Sequence, residues 1–435
     1  QFEEKTDNFL RFNKKAQGLH YTGKYKLNKE KTSTMDLSVG LAVSRGKFGR
    51  NQITGTEGNQ GPYQLKGTEN ESFIIILSGT EKVYIDGKLM TRGMDNDYII
   101  DYNTGEVTFT NNQLVTKDKR IIVEFQYSDR NYGRTLYSVQ DDINLNKKTK
   151  FSFKVYSEQD MKFQQLLQTL SGEDINLLDQ VGDSTHQAIS PRVDSIAFNN
   201  NLVLYEKKDS IVNLNTYVVY SHSSDPLKAF YQLSFSNVGA NNGNYVQEVS
   251  SVNGRVYSWT APINGVPQGS YEPVVTIVSP KQKQMATIAV EHKFNKHNKF
   301  FIEGALSNDN KNLFSRKDKR DDQGIAVKTK YHFSKPFSSD ELGWKITGLQ
   351  TYSLVSKSFK AIERFRSVEF ERDWNTNVDN IGQDEHWVSL LLQLQKGNTV
   401  KSKLNTSYIN RGTSYKALKN DLGLNFNLWK GGSVK

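Results

Sequence analysis

One short acidic run has the residue types of a cation site. Asp95-Asn96-Asp97, followed by Asp101, offers the carboxylate and amide oxygens that Ca²⁺ prefers. The run lacks the glycine and the terminal glutamate of a calcium-binding loop. Polar residues at this spacing are also typical of a solvated hairpin connection. We therefore predict a turn here and no metal site.

Three further patterns have residue types that could catalyse or bind. Ser44 and Lys47 have the Ser-x-x-Lys spacing of acylating enzymes, but no partner motif accompanies them. Glu291 and Glu303 are predicted to face the same side of a sheet, yet a paired-carboxylate hydrolase requires a separation that spacing alone does not give. The charged run Asp318–Asp322 suits a cation or a partner, and equally a solvated surface loop, which we predict.

The remaining chemistry is limited by what the composition lacks. The 435 residues include no cysteine, which excludes disulfides, thiolate nucleophiles and cysteine-ligated metals. The histidines are scattered, without HExxH or a similar spacing. No acid, base, nucleophile or metal set converges. We therefore nominate no catalytic, cofactor-binding or metal-binding residue, expect no cofactor, and predict that the protein is not an enzyme.

Charge and hydropathy narrow the class of protein. There are 57 basic and 47 acidic residues, a net charge of +10, and the two signs are interspersed. This pattern favours solvated loops and a charged lumen over a nucleic-acid surface. Mean hydropathy is −0.65, and no run approaches the roughly 18 apolar residues of a membrane helix. A membrane β-barrel remains compatible, because its strands need only about 9–11 residues and carry polar side chains on the lumen face.

The stretch Gly79–Tyr127 predicts a small β-sandwich. Asp86-Gly87 separates two short apolar runs and supplies the positive φ angles of a two-residue hairpin turn. Gly105 suits the left-handed position of a second hairpin, and Arg120–Phe125 is a largely apolar strand. Together these runs give about five or six strands. We assign residues 51–130 to this domain.

Long alternating strands flank the sandwich. Apolar residues alternate with small and polar ones in Asp36–Ser44 and in Lys150–Ser157, and the pattern persists from Gln284 onward. We assign residues 1–50, 131–237 and 281–435 to the strands of a barrel into which residues 51–130 are inserted. If the apolar side faces outward, five of its residues are expected to be exposed: Ile288, Val290, Val327, Leu390 and Leu424.

The connections between these strands differ in length. Asn295–Asn298 is tight, whereas Asn308–Gln323 and Thr376–Glu385 are long and charged. Short turns on one side and long loops on the other are typical of an outer-membrane barrel. Aromatic residues near strand ends fit interfacial girdles, and each one alone fits a core equally well. They are Phe294, Phe300, Phe333, Trp344, Trp374, Trp387, Tyr408 and Trp429.

Two segments interrupt the strand pattern. Within 159–181, the run 161–170 has apolar residues at helical spacing, and Ser171 is placed to cap a second short helix. We interpret the segment as an amphipathic helix on its own sheet or, alternatively, a partner-binding or lumen-occluding helical loop. Residues 238–280 are turn-rich, with Asn253-Gly254 and Asn264-Gly265 as hairpin signals. They form either a second small β-module or one long loop.

A resemblance to large outer-membrane surface proteins of the Bacteroidota type is carried by EGNQGPYQLKG, SGTEKVYIDGKLMTRGMDNDYIIDYNTGEVTFT and RIIVEFQYSDRNYGRTLY. A related phrase, G-x-DY-x-IDY-x-x-G-x-(V/I), occurs in the translocon barrel of type IX secretion and gliding. The blocks NGRVYSWTAPINGVPQGSYEPV and FIEGALSNDNKNLFSRKDKRDDQGIAVK extend the resemblance. It implies compartment and architecture, and no mechanism. A sandwich inserted between barrel strands is also similar in organisation to fimbrial ushers, where that domain plugs the pore, although no usher motif is present.

We therefore predict an all-β fold: an antiparallel transmembrane β-barrel, complete or incomplete within this chain, with an inserted β-sandwich in the lumen or the periplasm. We expect transport, protein secretion or envelope assembly at the cell outer membrane, with membrane lipid and other envelope proteins as partners and no nucleic acid. The alternative is a soluble multi-sandwich adhesin that binds glycan or protein, in which the same apolar residues lie against a second sheet. The opening QFEEKTDNFL is not a signal peptide. It either follows a cleaved leader or, as we favour, belongs to a longer chain.

Overall fold

The computed structural model describes residues 2–4, 9–30, 32–44, 46–68, 74–128, 131–166, 170–248, 255–337, 343–376, 382–429 and 432–434. The fold is all-β, and its strands pair in antiparallel ladders. One compact unit comprises Gln1–Thr169, Pro280–Leu313 and Asp318–Lys435, and a second comprises Leu170–Ser279 and Phe314–Lys317. Among the described residues, no helix is long and apolar enough to cross a membrane.

The strands before the second unit are β1 (Phe2–Glu4), β2 (Phe12–Lys14), β3 (Ala16–Lys26), β4 (Thr34–Ser44), β5 (Lys47–Thr54), β6 (Tyr63–Gln64), β7 (Ile75–Ile76), β8 (Lys82–Ile85), β9 (Lys88–Leu89), β10 (Tyr98–Asp101), β11 (Glu106–Phe109), β12 (Arg120–Ser128), β13 (Tyr132–Leu145) and β14 (Thr149–Gln165). The second unit contains α1 (Gly172–Val181), a 3₁₀ turn (Thr185–Gln187), β15 (Ile189–Pro191), β16 (Val193–Ser195), β17 (Tyr205–Val212), β18 (Asn215–His222), β19 (Tyr231–Leu233), β20 (Ser236–Asn237), β21 (Tyr245–Glu248), β22 (Val256–Trp259), β23 (Tyr271–Glu272) and β24 (Val274–Thr276). The chain continues with β25 (Gln282–Lys293), β26 (Asn298–Asn310), β27 (Gln323–Pro336), β28 (Trp344–Val355), α2 (Phe370–Asp373), β29 (Glu385–Lys396), β30 (Val400–Arg411), β31 (Tyr415–Trp429) and β32 (Gly432–Val434).

A 12-stranded sheet, the large sheet, dominates the first unit in the order β3-β4-β13-β14-β25-β26-β27-β28-β29-β30-β31-β32. The strands on either side of each insertion are direct neighbours. Val39 of β4 pairs with Val139 of β13, and Val155 of β14 pairs with Ala286 of β25. Both insertions therefore leave the ladder continuous. Within the described residues no ladder joins β3 to β32, so the sheet has two edge strands.

The two faces of the large sheet have opposite character. Side chains alternate along a strand, so the registers assign each residue to one face. On the face that we name the apolar face, the exposed fraction is 78% for Leu19, 62% for Leu306 and 68% for Leu422. Every strand of the large sheet except β32 contributes an exposed large side chain to this face: Leu19, Leu41, Tyr137, Phe153, Ile288, Leu306, Ile325, Trp344, Leu390, Leu404 and Leu422.

All five residues predicted to be exposed lie on the apolar face. Ile288, Leu390 and Leu424 are exposed as predicted, whereas Val290 and Val327 are half-buried. Val290 pairs with Phe151 and Ile302, whose larger side chains flank it.

The opposite face, which we name the polar face, carries charged and hydroxyl side chains that are largely buried. They include Ser44, Arg134, Lys154, Glu158, Asp160, Glu303, Ser307, Lys328, Ser353, Glu385, Ser389 and Ser407. A soluble antiparallel sheet usually buries its apolar face and exposes its polar one. The large sheet has the reverse arrangement.

The predicted difference between the connections at the two ends of the strands is present. At one end the connections are short: 27–33, 146–148, 294–297, 337–343 and 397–399. At the other end lie the long connections 45–131, 166–281, 311–322 and 356–384, together with the tight turn 412–414.

The aromatic residues predicted to form girdles divide between the two faces. Phe294, Phe300, Phe333, Trp344 and Tyr408 have the register of the apolar face. The prediction is wrong for two others. Trp387 lies on the polar face because it pairs with Ser353, and Trp374 is buried in the connection 356–384. The side chain of Trp429 lies outside the described residues.

The inserted domain, which we name the sandwich, consists of two sheets around one core. One sheet has the order β5-β12-β8-β9, with β7 also on β12, and the other has the order β10-β11-β6. Asp86, Gly87 and Gly105 have φ angles of 49°, 79° and 73°, which confirms both predicted turns. The domain begins with β5 rather than at residue 51. Its core contains Leu65, Ile74, Ile76, Val83, Ile85, Met90, Tyr98, Val107, Phe109, Val115, Ile121, Val123, Phe125 and Tyr127.

The second unit corrects the assignment of residues 193–237 to the barrel. Residues 193–237 lie in small sheets, β16-β19-β17-β18 and β20-β23-β21-β22, and not in the large sheet. Residues 238–279 also form part of this unit, and Asn264-Gly265 makes the predicted positive-φ turn there. Asn253-Gly254 lies outside the described residues. The strands here have at most eight residues and lack the strict two-residue alternation of the large sheet, as in Tyr217–Tyr220 of β18. Strand-forming residues alone therefore did not separate the two kinds of sheet.

The helical prediction for 159–181 is half right. Ser171 caps α1 through a capping box with Asp174, as expected. The run 161–170 is not a helix where it is described, because β14 continues to Gln165 and the Leu166 N–H donates to the Asn131 carbonyl. Pairing with the extended end of β13 overrides the helical spacing of the apolar residues.

Replacing the fully buried Ile121 with alanine should lower the free energy of unfolding of the sandwich by about 2–5 kcal/mol, because a cavity remains. The matched change Leu114→Ala, at a site 60% exposed in the same domain, should cost at most about 0.5 kcal/mol. Urea unfolding followed by hydrogen exchange of β12 peptides measures both. Equal destabilisation would contradict the assigned core.

Candidate functional site

The polar face of the large sheet is covered by residues 9–15, which we name the inner segment. Phe12 lies against Tyr156 with ring centroids 4.6 Å apart, and Phe9 packs edge-on to Phe359 at 5.5 Å. Apolar side chains of the sheet complete this contact: Ala42, Leu136, Tyr156, Met285, Ala305, Ala326 and Val355. The inner segment thus gives the polar face a small apolar core.

A buried ion network fastens the inner segment to the sheet. Lys14 Nζ lies 3.1 Å from Glu158 Oε2, and Arg134 Nη1 lies 2.7 Å from Glu158 Oε1. Arg134 also contacts Asp160 at 2.6 Å, and the Tyr156 hydroxyl donates to Glu158 at 2.6 Å. The network holds equal numbers of cations and anions, which is what makes such burial tolerable.

A second cover is the connection 356–384, which we name the β28–β29 loop. Its Phe359, Ile362 and Phe365 join the same core. Arg366 makes two hydrogen bonds to the buried Glu385, one of them 3.1 Å long, and Arg411 Nε approaches the same carboxylate at 2.8 Å. Burial, only partly offset by Glu385, lowers the pKa of Arg366. One carboxylate therefore holds two guanidinium groups at the polar face.

The β28–β29 loop also binds the sandwich. Arg364 pairs with Glu124 of β12 through two hydrogen bonds, the longer being 3.3 Å. Burial tends to lower the pKa of Arg364, but the hydrogen bond and charge of Glu124 outweigh it and raise the pKa overall. Farther along, Glu371 accepts from Arg50 at 3.2 Å and from Arg120 at 3.4 Å.

The inner segment takes part in the same contact. The Asn13 N–H donates to Glu363 at 2.9 Å, and Lys15 Nζ donates to the Ser78 carbonyl of the sandwich at 3.1 Å. Gln126 of β12 donates to the Asn13 carbonyl. Burial raises the pKa of Glu363, an effect that Lys14 and the Asn13 N–H reduce.

Four consecutive loop residues therefore contact three different parts of the first unit. Glu363 contacts the inner segment, Arg364 the sandwich and Arg366 the polar face, while Phe365 lies 5.3 Å from the ring of Phe9. Sequence reasoning gave these residues no role. A signal was present in AIERFRSVEFERDW, where charges of both signs alternate with aromatic residues, the composition expected of a buried ionic contact.

The carboxylates in the predicted turn at 95–101 accept hydrogen bonds from backbone N–H groups. Asp97 Oδ2 accepts from the Thr91 N–H at 2.7 Å, and Asp101 Oδ1 accepts from the Asn103 N–H at 2.9 Å. These bonds are typical of a polar hairpin connection.

The other candidates lie apart from one another. Ser44 is buried at the end of β4 and accepts from the Gly46 N–H at 3.4 Å. Glu291 and Glu303 share the polar face, but Glu291 pairs with Lys299 at 2.8 Å, whereas Glu303 accepts from the Phe9 N–H at 3.3 Å.

The run Asp318–Asp322 is held by its own lysine. Lys319 Nζ donates to Asn310 Oδ1 at 2.8 Å and lies 3.5 Å from Asp322. The loop is thus tied to the end of β26.

A family model described as a domain of unknown function (DUF8818) matches residues 48–129. These residues extend from β5 to β12 and so coincide with the sandwich. The comparisons with curated proteins and with solved structures gave no match. The match supports the sandwich as a domain in its own right and carries no functional description.

Changing Arg364 to glutamine should loosen the sandwich, because the ion pair that Glu124 retains among the described residues is the longer one with Arg50, at 4.0 Å. Breaking a buried pair costs about 3–5 kcal/mol, and we expect faster hydrogen exchange in residues 9–15 and 359–374. Arg372→Gln is the control, since its pair with Asp86 is exposed and worth about 0–1 kcal/mol. Similar exchange in both variants would count against docking through Glu124.

The stability of the protein should depend on the protonation of Lys281. Burial, then the charge of Lys47, lowers the pKa of Lys281 to about 7, against about 10.4 in the unfolded chain. Stability linked to this group is complete above about pH 10.4 and is lost as pH falls toward 7. Lys281→Met should remove this component from unfolding curves measured between pH 7 and 10, whereas Lys283→Met should retain it. An unchanged pH dependence in Lys281→Met would refute the assignment.

Proposed function

We propose that this chain forms part of an outer-membrane β-barrel whose lumen side is the polar face and whose lipid side is the apolar face. The sandwich, the inner segment and the β28–β29 loop act as a plug on the lumen side. The role that fits is transport, protein secretion or envelope assembly, which requires a controlled passage and no catalysis.

The observation that carries the proposal is the reversed polarity of the large sheet. Water makes exposed apolar surface costly, at about 25 cal/mol per Å², and soluble monomers rarely expose a contiguous apolar patch above a few hundred Å². Here exposed Leu, Ile, Val and Phe side chains continue across the strands from β3 to β31. Hydrocarbon on that side and water or protein on the other would satisfy both faces.

Three further features support the same function. Apart from β32, the strands of the large sheet have 11 to 17 residues, enough for the roughly 9–11 residues needed to cross a bilayer. The connections are mostly short at one end of the strands and mostly long at the other end, as in outer-membrane barrels. Aromatic residues occupy the ends of the apolar face near the short connections, as in an interfacial girdle: Tyr25, Phe151, Phe294, Phe300, Phe333, Trp344 and Phe426.

The two edge strands define what else the proposal requires. Unpaired edges do not occur in the hydrocarbon region, because their N–H and C=O groups would lack partners. The edges β3 and β32 would therefore pair with each other or with further strands, and envelope proteins are the expected partners.

The alternative, a soluble adhesin, requires a second sheet over the apolar face. The exposed fractions of Leu19, Leu306 and Leu422 argue against it. Membrane fractionation separates the two functions. We expect the full chain, expressed with an outer-membrane leader, to sediment with outer membranes, to resist alkaline extraction and to require detergent. A monodisperse chain in buffer without detergent would overturn the proposal.

Leu390→Arg should impair insertion, because arginine on the lipid face of a barrel costs about 2–4 kcal/mol at the bilayer midplane. Gln393→Arg lies on the same strand but on the polar face, so it should insert normally. The fraction of protein recovered in folded, heat-modifiable form from membranes compares the two. Equal recovery would contradict the assignment of the faces.

A further inference from the structure

A cavity of about 310 Å³ lies between the polar face of β27–β31 and the β28–β29 loop. Its size is at the lower end of the range of small-molecule sites. One part of its wall is aromatic and comes from Phe365, Phe370, Trp374 and Trp387. The other part is polar and includes Ser353, Asn405 and Ser407.

The charges around the cavity are nearly balanced. Arg366 and Lys419 line it together with Lys328, and they face Glu385 and Asp373. Arg366 is held by Glu385 and lies 4.3 Å from the centre of the Phe370 ring. A strongly charged ligand therefore gains little here, while a purely apolar one would leave the hydroxyl and amide groups of the wall without partners.

Trp387 contributes its aromatic surface to the cavity wall rather than its donor. Its indole Nε1 is buried and has no hydrogen-bond partner among the described residues, and a nitrogen without accessible surface leaves no room for an acceptor at hydrogen-bond distance. Polar contacts with a ligand therefore come from the hydroxyl and amide groups of Ser353, Asn405 and Ser407.

We propose that this cavity binds a neutral mono- or disaccharide. A sugar ring presents C–H groups that pack on aromatic faces, and hydroxyl groups that both donate and accept. Trp374, Phe370 and Trp387 supply the aromatic surface, while Ser353, Asn405 and Ser407 supply polar partners. The assignment does not depend on what covers the apolar face, so it goes beyond the proposed function and stands apart from it.

The test is calorimetric titration of the purified full chain with glucose, galactose, N-acetylglucosamine and their β-linked disaccharides. We expect at least one to bind with a Kd of about 1 mM or tighter. Trp387→Ala removes the aromatic surface that this residue adds to the wall and should weaken that binding about tenfold. The matched change Trp344→Ala, on the apolar face, should leave affinity unchanged.

A second variant guards against a folding defect at Trp387. Ser353→Leu places a larger side chain in the cavity and should abolish binding, with thermal unfolding recorded for every variant. Absence of binding by every sugar at about 10 mM, roughly ten times the expected Kd, would overturn the proposal. Binding of glucuronate alone, or binding that both cavity variants leave intact, would overturn it as well.

Discussion

The separation of apolar and polar side chains onto opposite faces of the large sheet determines how the rest of the first unit packs against it. Alternating residues give each strand one apolar and one polar side, and the antiparallel ladder adds these sides across all the strands. A one-residue slip of register would place leucine among lysines and glutamates. The polar side then has to be covered without leaving isolated charges. That is why the covering segments bring ions of opposite sign: Lys14 to Glu158, and Arg366 to Glu385.

The insertions are placed where the ladder tolerates them. The sandwich and the second unit each replace a turn between strands that are direct neighbours, so the hydrogen bonds of the sheet do not depend on them. The sandwich has its own core, and its attachment to the rest of the first unit is polar and ionic. These ion pairs are partly buried, so salt screens them less than it screens exposed pairs.

Local rules of the sequence predicted much of this fold. Asp86-Gly87 and Gly105 fixed two turns through their φ angles, and Ser171 fixed the start of α1, because each acts within a few residues. The alternation also placed Ile288, Leu390 and Leu424 on the exposed face. Long-range pairing was beyond such rules. Helical spacing at 161–166 lost to the extended pairing of β13 with β14. The strands of 193–237 form sheets of their own, and which strands pair is not given by the residues of any one of them.

The candidate site was harder to predict than the fold. Its main residues lie in the β28–β29 loop, whose contacts join residues more than two hundred positions apart, as in Arg364 with Glu124. Trp387 shows the same limit at one position. Its place near the start of a strand fits a girdle, and only the register shows that it lies on the polar face.

The four consecutive loop residues Glu363 to Arg366 have a mechanical consequence. Neighbouring Cα atoms are about 3.8 Å apart, so the anchor on the sandwich and the anchor at the cavity wall are separated by two peptide bonds. A pull on Arg364 is passed to Arg366 before it reaches any flexible stretch of chain. We therefore expect a displacement of the sandwich to change the wall of the cavity through these two adjacent anchors.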